Sequence, residues 1–297
     1  MAAGRAVSKN GFPGLLRPLL HRALLRGLRP ERIAHEPPPE RLPLRAGRVR
    51  RLALTGRRGQ QLAAWLVMPE GVDAARPVPA VLALHGWGAN ASTLWPVVDP
   101  LTDAGMAVLL LDASCHGASG DEAFMSLPRF ADDLAAALAA LRDEPGIDAG
   151  RIALLGHSVG AAACLLHAAQ GGGVAAVVSL AAFAHPRQVM ERWLAEHRIP
   201  RRWIGEAILE HVQQVIGERF ERIAPLNLVG HIECPVLLVH GRHDRTVPLA
   251  DALALQQAGG STELLVVDAD HDLRAALTPH APAIIDFLAS PSRTPAC

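Results

Sequence analysis

The feature that most constrains the fold is the pattern G-x-S-x-G at residues 156–160, with Ser158 at its centre. It directly follows an apolar run at 151–155 and precedes a helix-forming run at 161–169. A buried strand, a sharp turn and a helix in this order predict a nucleophile elbow, whose turn holds the serine in a strained backbone conformation. Such a turn needs small flanking residues, and both are glycine. The alternative is a surface turn that happens to contain a serine, so the remainder of the chain has to decide.

The composition suits one large α/β domain or two small ones. Of 297 residues, 50% are hydrophobic and 20% are charged, which allows a substantial core. Residues 1–58 contain 14 Lys+Arg against 3 Asp+Glu, whereas residues 59–297 contain 15 against 26. A basic N-terminal arm therefore precedes an acidic body. We expect no nucleic-acid partner, and the oligomeric state is left open.

The cysteines and the hydropathy pattern exclude several classes of protein. The four cysteines, at 115, 164, 234 and 297, show no C-x-x-C spacing, so neither a disulfide framework nor a zinc site is predicted. No stretch approaches roughly 18 consecutive apolar residues, and arginines interrupt every candidate signal-peptide core before position 33. We therefore expect a cytoplasmic protein that needs no metal and no cofactor.

Residues 1–47 are predicted to form a basic arm and a linker. Leucines at 16, 20, 24 and 28 recur at helical spacing with arginines off that line, which predicts a short basic amphipathic helix. One interpretation is that these leucines cover part of the body or the mouth of its site. The alternatives are a weak contact with a membrane surface through residues 13–32 and an organellar transit peptide. Three prolines at 37–39 predict a stiff linker.

From residue 48 the pattern changes to short apolar runs separated by turns and helical stretches. The runs 48–55 and 61–68 flank a glycine-containing turn and predict a hairpin. Further apolar runs predict buried strands at 79–84, 106–111, 151–155, 174–180, 235–240 and 263–267. Helical patterns separate most of them, including 127–142 and a last helix at 282–288. Residues 48–297 are thus predicted to form an α/β fold: a mostly parallel central sheet of about eight strands with helices on both faces.

One insertion interrupts this alternation. Residues 184–232 contain no apolar strand run but show helical spacing and two tryptophans, Trp193 and Trp203. An insertion of this length between two core strands predicts a helical cap or lid. We expect Trp193 and Trp203 to be candidates for the lining of the substrate pocket.

The residues after other strands offer partners for the serine. A serine hydroxyl is a weak nucleophile that needs a general base and a third group that orients this base. Because the carboxyl ends of parallel strands converge, such partners are expected directly after strands. Asp244 follows the run that ends at 240, and His271 follows the run that ends at 267. The order Ser158, Asp244, His271 therefore predicts a nucleophile, an acid and a base.

The loop after the third strand predicts donors for an oxyanion. It reads His-Gly-Trp-Gly at 85–88, where a backbone N–H can be aimed at the serine. The predicted pair of donors is Trp87 N–H and Val159 N–H, the second belonging to the residue after the nucleophile. His85 and His157 are further candidates for the pocket lining.

Competing assignments involve other polar residues. Asp268, Asp270 and Asp272 alternate like the start of a calcium loop, but Leu273 replaces the required glycine and no glutamate follows at 279. A metal site at His240, His243 and Asp244 lacks an evident ligand from a further strand.

Two more residues compete for catalytic roles. Asp112, at the end of another strand, is a second-choice acid. Cys115 beside His116 resembles a thiol nucleophile, but no elbow surrounds it, and a structural role in its loop is expected.

With these motifs in place, the chain resembles the α/β-hydrolase superfamily over roughly residues 48–297, and it looks most like the bacterial esterase and serine-aminopeptidase-like branches. The motifs that carry the resemblance are 85–88, 112–120, the Ser158 elbow, 241–248 and the His271 loop. The segment 112–120 is similar to the family's D-x-R-G-H-G-x-S-x-G loop. Ser114 and Cys115 stand in place of its Arg-Gly, so a different loop conformation is expected.

The resemblance implies a serine hydrolase that acts by acyl transfer through Ser158, Asp244 and His271, with a cap at about 184–232. The expected substrate is a carboxylic ester with a small or medium acyl group. Thioesters, peptides and other amides are the alternatives on the same residues. A binding protein that has kept the fold without catalysis is the second alternative.

Overall fold

An eight-stranded sheet lies at the centre of this computed structural model, which describes residues 17–38, 48–72 and 76–290. Its spatial order is β1-β2-β4-β3-β5-β6-β7-β8; β1 and β2 are antiparallel to their neighbours, and the other strands run parallel. This confirms the predicted mostly parallel sheet. The strands are β1 Arg48–Thr55, β2 Gln61–Met68, β3 Val78–Leu84, β4 Ala107–Leu111, β5 Ile147–His157, β6 Val177–Leu180, β7 Val236–Gly241 and β8 Thr262–Val267.

Helices follow most of the strands. The α-helices are α1 Arg17–Gly27, α2 Val98–Asp103, α3 Leu127–Arg142, α4 Val159–Ala169, α5 Pro186–Glu196, α6 Glu206–Ile216, α7 Phe220–Ile223, α8 Pro225–Leu228, α9 Leu249–Ala258 and α10 Arg274–Ala289. Ala91–Val97 and Val229–His231 form 3₁₀ turns, and Arg201–Gly205 forms a π-helical turn. No helix among the described residues is long and apolar enough to cross a membrane.

Both faces of the sheet are buried at its central strands β2, β3, β4, β6 and β7, which explains why their sequences are nearly continuous apolar runs. Along β3, Leu82 and Leu84 point to one face, whereas Val81 and Ala83 point to the other. Helices α3 and α4 cover the first face, and α2 and α10 cover the second. The side chains on the two faces form two separate apolar clusters.

The last helix begins earlier than predicted. Helix α10 starts at Arg274 rather than at 282, and both Pro279 and Pro282 lie inside it. Each proline removes a helical hydrogen bond. The helix nevertheless continues because Leu277, Ile284 and Phe287 are buried against the sheet.

The segment predicted as a cap, 184–232, is helical throughout most of its length. It contains α5 to α8 and has a small apolar cluster of its own: Leu194, Ile208, Leu209, Val212 and Phe220. Leu24 of α1 packs against this cluster. The contact agrees with the interpretation that leucines of the arm cover another part of the protein. A contact of residues 13–32 with a membrane stays a prediction, and residues 13–16 lie outside the described part of the chain.

Removal of a buried side chain from α3 is predicted to destabilise the protein strongly. Leu134 is fully buried, so Leu134→Ala is expected to lower the free energy of unfolding by about 2–5 kcal/mol through lost apolar contacts and the cavity left behind. Urea denaturation followed by circular dichroism measures this change. The matched control is Leu253→Ala on α9, where the side chain is 50% exposed and a change within about 0.5 kcal/mol is expected. Equal losses in both variants would contradict the packing described above.

Candidate active site

Ser158 lies between β5 and α4 in a strained backbone conformation, with φ 53° and ψ −116°. Positive φ is unfavourable for a residue with a side chain. The turn also brings α4 very close to β3: a Cβ at Gly160 would lie 2.3 Å from His85 O, and one at Gly156 would lie 2.5 Å from Ala161 N. Only glycine fits these two positions, and Ser158 therefore has the geometry that the sequence predicts for an elbow.

Three side chains from separate loops form a continuous hydrogen-bonded chain. The Ser158 hydroxyl lies 3.1 Å from Nε2 of His271 and donates its proton to that nitrogen. Nδ1–H of His271 donates to Oδ2 of Asp244 at 2.7 Å. Ser158 follows β5, Asp244 follows β7 and His271 follows β8, so the parallel strands bring together residues up to 113 positions apart. A hydroxyl, an imidazole and a carboxylate in this order can activate the hydroxyl as a nucleophile.

Asp244 is held as a carboxylate. Its side chain is buried, and its Oδ1 accepts hydrogen bonds from Thr246 N–H at 2.9 Å and Val247 N–H at 2.8 Å. Burial by itself raises the pKa of Asp244, but the hydrogen bonds from His271 and Val247 outweigh it, and the pKa lies below its ordinary value. The ionised group therefore orients His271 at neutral pH.

The loop after β3 lies directly beside the serine. A Cβ at Gly86 would be 3.2 Å from Ser158 Cβ, so the backbone next to Trp87 runs directly past Ser158. Val159 begins α4, where the first N–H groups have no partner inside the helix. In the part of the chain that the structure describes, neither Trp87 N–H nor Val159 N–H has an acceptor. Both are available to a ligand oxygen.

The indole of Trp87 is partly exposed to solvent. It is 39% exposed and stacks on Phe130 with ring centroids 6.3 Å apart. The ring of His116 meets it edge-on at 6.0 Å. The side chain thus has a packing role of its own beside the available backbone N–H.

His157 contacts the histidine of the hydrogen-bonded chain. Its Nε2–H donates to the backbone carbonyl of His271 at 2.8 Å. Burial lowers the pKa of His157 to about 4, so the ring is neutral at pH 7. His157 therefore fixes the position of the His271 backbone, a role that the sequence pattern did not indicate.

A cavity of about 780 Å³ opens beside His271 and His157. Its buried walls are apolar and include Leu94, Leu180 and Leu277, and exposed charged residues surround its opening. Ser158, Trp87 and Val159 are not among its lining residues, but Ser158 is hydrogen-bonded to His271, which is. The lining residues are Ile33, Ala89, Thr93, Leu94, His157, Leu180, His243, Arg245, Thr246, Asp270, His271, Asp272, Arg274 and Leu277.

Two other predicted pocket residues, His85 and Trp193, do not line this cavity. His85 is fully buried; its Nδ1–H donates to Gly86 O at 2.7 Å, and its Nε2 accepts from Ala113 N–H at 3.1 Å, so it supports the loop from inside. Trp193 on α5 is 41% exposed and packs on His197. The side chain of Trp203 lies outside what the structure describes.

The residues that competed for roles have other contacts. His240 Nε2–H donates to Val247 O at 2.8 Å, and His243 pairs with Asp268 at 2.8 Å. Burial raises the pKa of the Cys115 thiol, and its sulfur accepts from Glu122 N–H at 3.1 Å, which is the structural role expected of it. Asp112 lies under the loop after β3 and makes no contact with His271.

Buried neutral histidines predict a loss of stability at acid pH. Burial lowers the pKa of His116 to about 3 and that of His157 to about 4, from an ordinary 6.5. Above about pH 6.5 these rings are neutral in both states; below it the unfolded chain takes up protons that the folded chain does not, so the free energy of unfolding falls between about pH 6.5 and 4. Each such ring contributes a slope of at most about 1.4 kcal/mol per pH unit.

The variant His157→Gln tests this effect, because the amide can still donate to His271 O without taking up a proton. Urea denaturation across this pH range is expected to give a shallower decline than in the wild type. His231→Gln, at an exposed position, is the control and is expected to decline like the wild type. A decline in His157→Gln as steep as in the wild type would contradict the prediction.

Comparisons with known proteins agree with this architecture. The esterase Pf2001 of Pyrococcus furiosus superposes with a TM-score of 0.68 at 22% identity, and the match covers 88% of this chain and 97% of that structure. Among sequence relatives, the uncharacterized protein YfhR of Escherichia coli O157:H7 is 25% identical over 73% of this chain and 71% of its own length. The esterase YjfP of Escherichia coli K12 is 27% identical over 69% of this chain and 85% of its own length.

The family model described as serine aminopeptidase, S33, matches residues 75–225. This range begins just before β3, includes the Ser158 elbow and ends at Pro225, the first residue of α8, near the end of the insertion. Because it spans half of the chain, and because the sheet has the α/β-hydrolase architecture, this protein belongs to the serine aminopeptidase S33 family of α/β hydrolases.

Proposed function

We propose that this protein is a serine hydrolase that transfers acyl groups from carboxylic esters of small or medium size to water. The observation that carries the proposal is the hydrogen-bonded chain from Ser158 through His271 to Asp244, with the serine held at positive φ. The membership in an α/β-hydrolase family and the similarity to the esterase YjfP support it. No step requires a metal or a cofactor.

In the proposed reaction, Nε2 of His271 accepts the Ser158 proton while Oγ attacks the ester carbonyl carbon. Asp244 keeps the proton on Nδ1, so that Nε2 is free to accept, and stabilises the imidazolium that forms. His271 then gives the proton to the leaving alcohol. A water molecule, deprotonated by the same nitrogen, hydrolyses the acyl-enzyme in the second step.

The negative charge on the tetrahedral intermediate needs donors that are already in place. We assign this role to Trp87 N–H and Val159 N–H, which flank Ser158 and lack acceptors among the described residues. Loss of one such donor costs about 10²–10³ in rate in comparable sites. We refer to residues 85–92 as the oxyanion loop.

The cavity beside His271 supports a substrate of moderate size. Its volume of about 780 Å³ lies within the range of small-molecule sites, roughly 300–1,000 Å³. Apolar walls at Leu94, Leu180 and Leu277 suit an acyl or alkyl group. Residues 184–232 are proposed as the cap that limits access to this region, and their shape sets the selectivity for the leaving group.

A second candidate reaction uses the same residues on an amide bond. The name of the matched family, serine aminopeptidase, favours a peptidase or amidase, and a thioesterase needs no further machinery. A binding protein without catalysis is disfavoured, because binding alone does not require a serine strained at positive φ within reach of an oriented imidazole.

Labelling with a fluorophosphonate probe tests the nucleophile. The wild type is expected to react and Ser158→Ala is expected not to, because only an activated serine attacks phosphorus. Ser290→Ala is the control, since this serine is exposed and its hydroxyl is bonded to Asp286 O. Equal labelling of the wild type and Ser158→Ala would show that Ser158 is not the nucleophile.

A substrate panel separates the candidate reactions. We expect kcat/KM to be higher for chromogenic esters of short and medium acyl chains than for matched thioesters or aminoacyl anilides. Ser158→Ala supplies the background rate for each substrate. Faster turnover of the anilides would favour the peptidase, and no turnover of any compound by the unlabelled wild type would favour the binding protein.

A further inference from the structure

The N-terminal arm has a second part that continues from α1 across the active-site edge of the sheet. We call residues 28–37 the strap. Its first contact is Leu28 O, which accepts from Met125 N–H at 2.7 Å. The strap then crosses the loops that follow β3 and β4, and Ile33 reaches the wall of the cavity beside His271. These residues lie outside the part of the chain that the S33 family model matches.

Arg32 fixes the strap to the loop after β4. Its guanidinium donates to the carbonyl oxygens of His116 at 3.2 Å, Ser119 at 2.8 Å, and Gly117. It also pairs with Asp121 at 2.8 Å. One side chain thus satisfies several backbone oxygens of a single loop, which holds that loop in one conformation.

Asn90 fixes the strap to the oxyanion loop. It is fully buried, and its Nδ2 donates to Ile33 O at 3.1 Å and Ala34 O at 3.0 Å. Two neighbouring contacts repeat the pattern: Glu36 N–H donates to Ser92 Oγ at 3.2 Å, and the indole of Trp95 donates to Pro37 O at 3.2 Å. The strap therefore supplies acceptors that Asn90 and Trp95 would otherwise lack in the interior.

The carboxylate of Asp112 connects the strap with two loops, the oxyanion loop after β3 and the loop after β4. It is fully buried, and its Oδ1 accepts from Ala91 N–H at 2.8 Å. Its Oδ2 accepts from Ala118 N–H at 2.7 Å and from His35 Nε2–H at 2.9 Å. A buried carboxylate is costly unless its hydrogen bonds are satisfied, so loss of the donor from His35 leaves this junction under-satisfied.

Trp87 lies between residues that this network holds. On one side, His85 bonds to Gly86 O and to Ala113 N–H. On the other side, Gly88 N–H donates to Nε2 of His116 at 3.2 Å. His116 belongs to the loop after β4, to which Arg32 is hydrogen-bonded. An oxyanion donor is effective because it is held in place before the reaction, so the rigidity of its anchors affects the rate.

From these contacts we propose that the strap is a positioning element for the oxyanion loop, and that His35 is the positioning residue that acts on it through Asp112. The inference rests on the proposed function, since it assigns a purpose to the N–H of Trp87. The arm is then part of the catalytic unit rather than an appendage to it. His35 acts through other residues and has no contact with the reacting atoms.

The variant His35→Phe tests the proposal. It removes the N–H donor and keeps a ring against Trp65, whose centroid lies 4.8 Å from that of His35. With rates normalised to fluorophosphonate-titrated sites, kcat for an ester is expected to fall on the order of 10–100-fold, while KM stays nearly unchanged. Affinity for a trifluoromethyl ketone, which forms an oxyanion with the serine, is expected to fall by a similar factor.

Two further variants separate positioning from general stability. His35→Gln keeps a side-chain N–H donor and is expected to recover most of kcat. His231→Phe removes an exposed histidine and is expected to behave like the wild type. If His35→Phe keeps wild-type kcat per titrated site, or if His35→Gln is as slow as His35→Phe, the proposal is overturned.

Amide hydrogen exchange gives a readout that does not depend on activity. A peptide covering residues 85–92 is expected to exchange faster in His35→Phe than in the wild type and at the wild-type rate in His35→Gln. Unchanged exchange in His35→Phe overturns the proposal even if the enzyme is active. Absence of ester turnover and of labelling in the wild type would instead refute the proposed function, and the exchange result would still decide whether the strap holds the loop.

Discussion

The close approach of α4 to the end of β3 is the constraint on which the site depends. The backbone of Gly160 passes so near to His85 O that no side chain fits there. This approach places the N-terminus of α4 beside the loop after β3 and forces Ser158 to positive φ. The strained conformation costs of the order of 1–3 kcal/mol and persists because packing on both sides of the turn determines it. The buried residues of α4 and the buried second half of β5, from Ile152 to Gly156, supply that packing.

The ionisable groups around Ser158 are of two kinds, an ionised carboxylate and several neutral histidines. Asp244 is kept charged, because donors from His271, Thr246 and Val247 stabilise its carboxylate. The supporting histidines His85, His116 and His157 have pKa values lowered by burial and are neutral at pH 7. They act as hydrogen-bonding links between loops, and no positive charge on them competes with His271 for Asp244.

Sequence patterns predicted the strands, the helices and the hydrogen-bonded group of Ser158, His271 and Asp244 more completely than they predicted the residues that support this group. Apolar runs marked the central strands because both faces of the sheet are buried there, and the rule that polar loops converge after parallel strands selected Asp244 and His271. The start of α10 was missed, because Pro279 and Pro282 are stop signals in a sequence, and only the burial of Leu277 shows why the helix continues.

The roles of single buried polar residues could not be predicted in the same way. Asp112 follows a strand just as Asp244 does, and the sequence therefore offered it as a second acid. Its actual partners are Ala91 N–H, Ala118 N–H and His35, and the last of these is 77 positions away in a segment without strand periodicity. Hydrogen bonds from side chains to backbone groups do not produce a repeating pattern of residue types, so a sequence does not reveal them. The strap could be recognised only from the folded chain.

The N-terminal arm contacts both the insertion at 184–232 and the oxyanion loop. Leu24 of α1 packs against the apolar cluster of residues 184–232, and His21 lies 3.3 Å from His211 on α6. The strap begins at residue 28, directly after α1 ends at Gly27. With so short a connection, the insertion cannot shift far from the sheet without loss of either the Leu24 packing or the contacts of Arg32 and Asn90. The proposed cap and the loop proposed to supply an oxyanion donor are thus both fixed to the same stretch of chain.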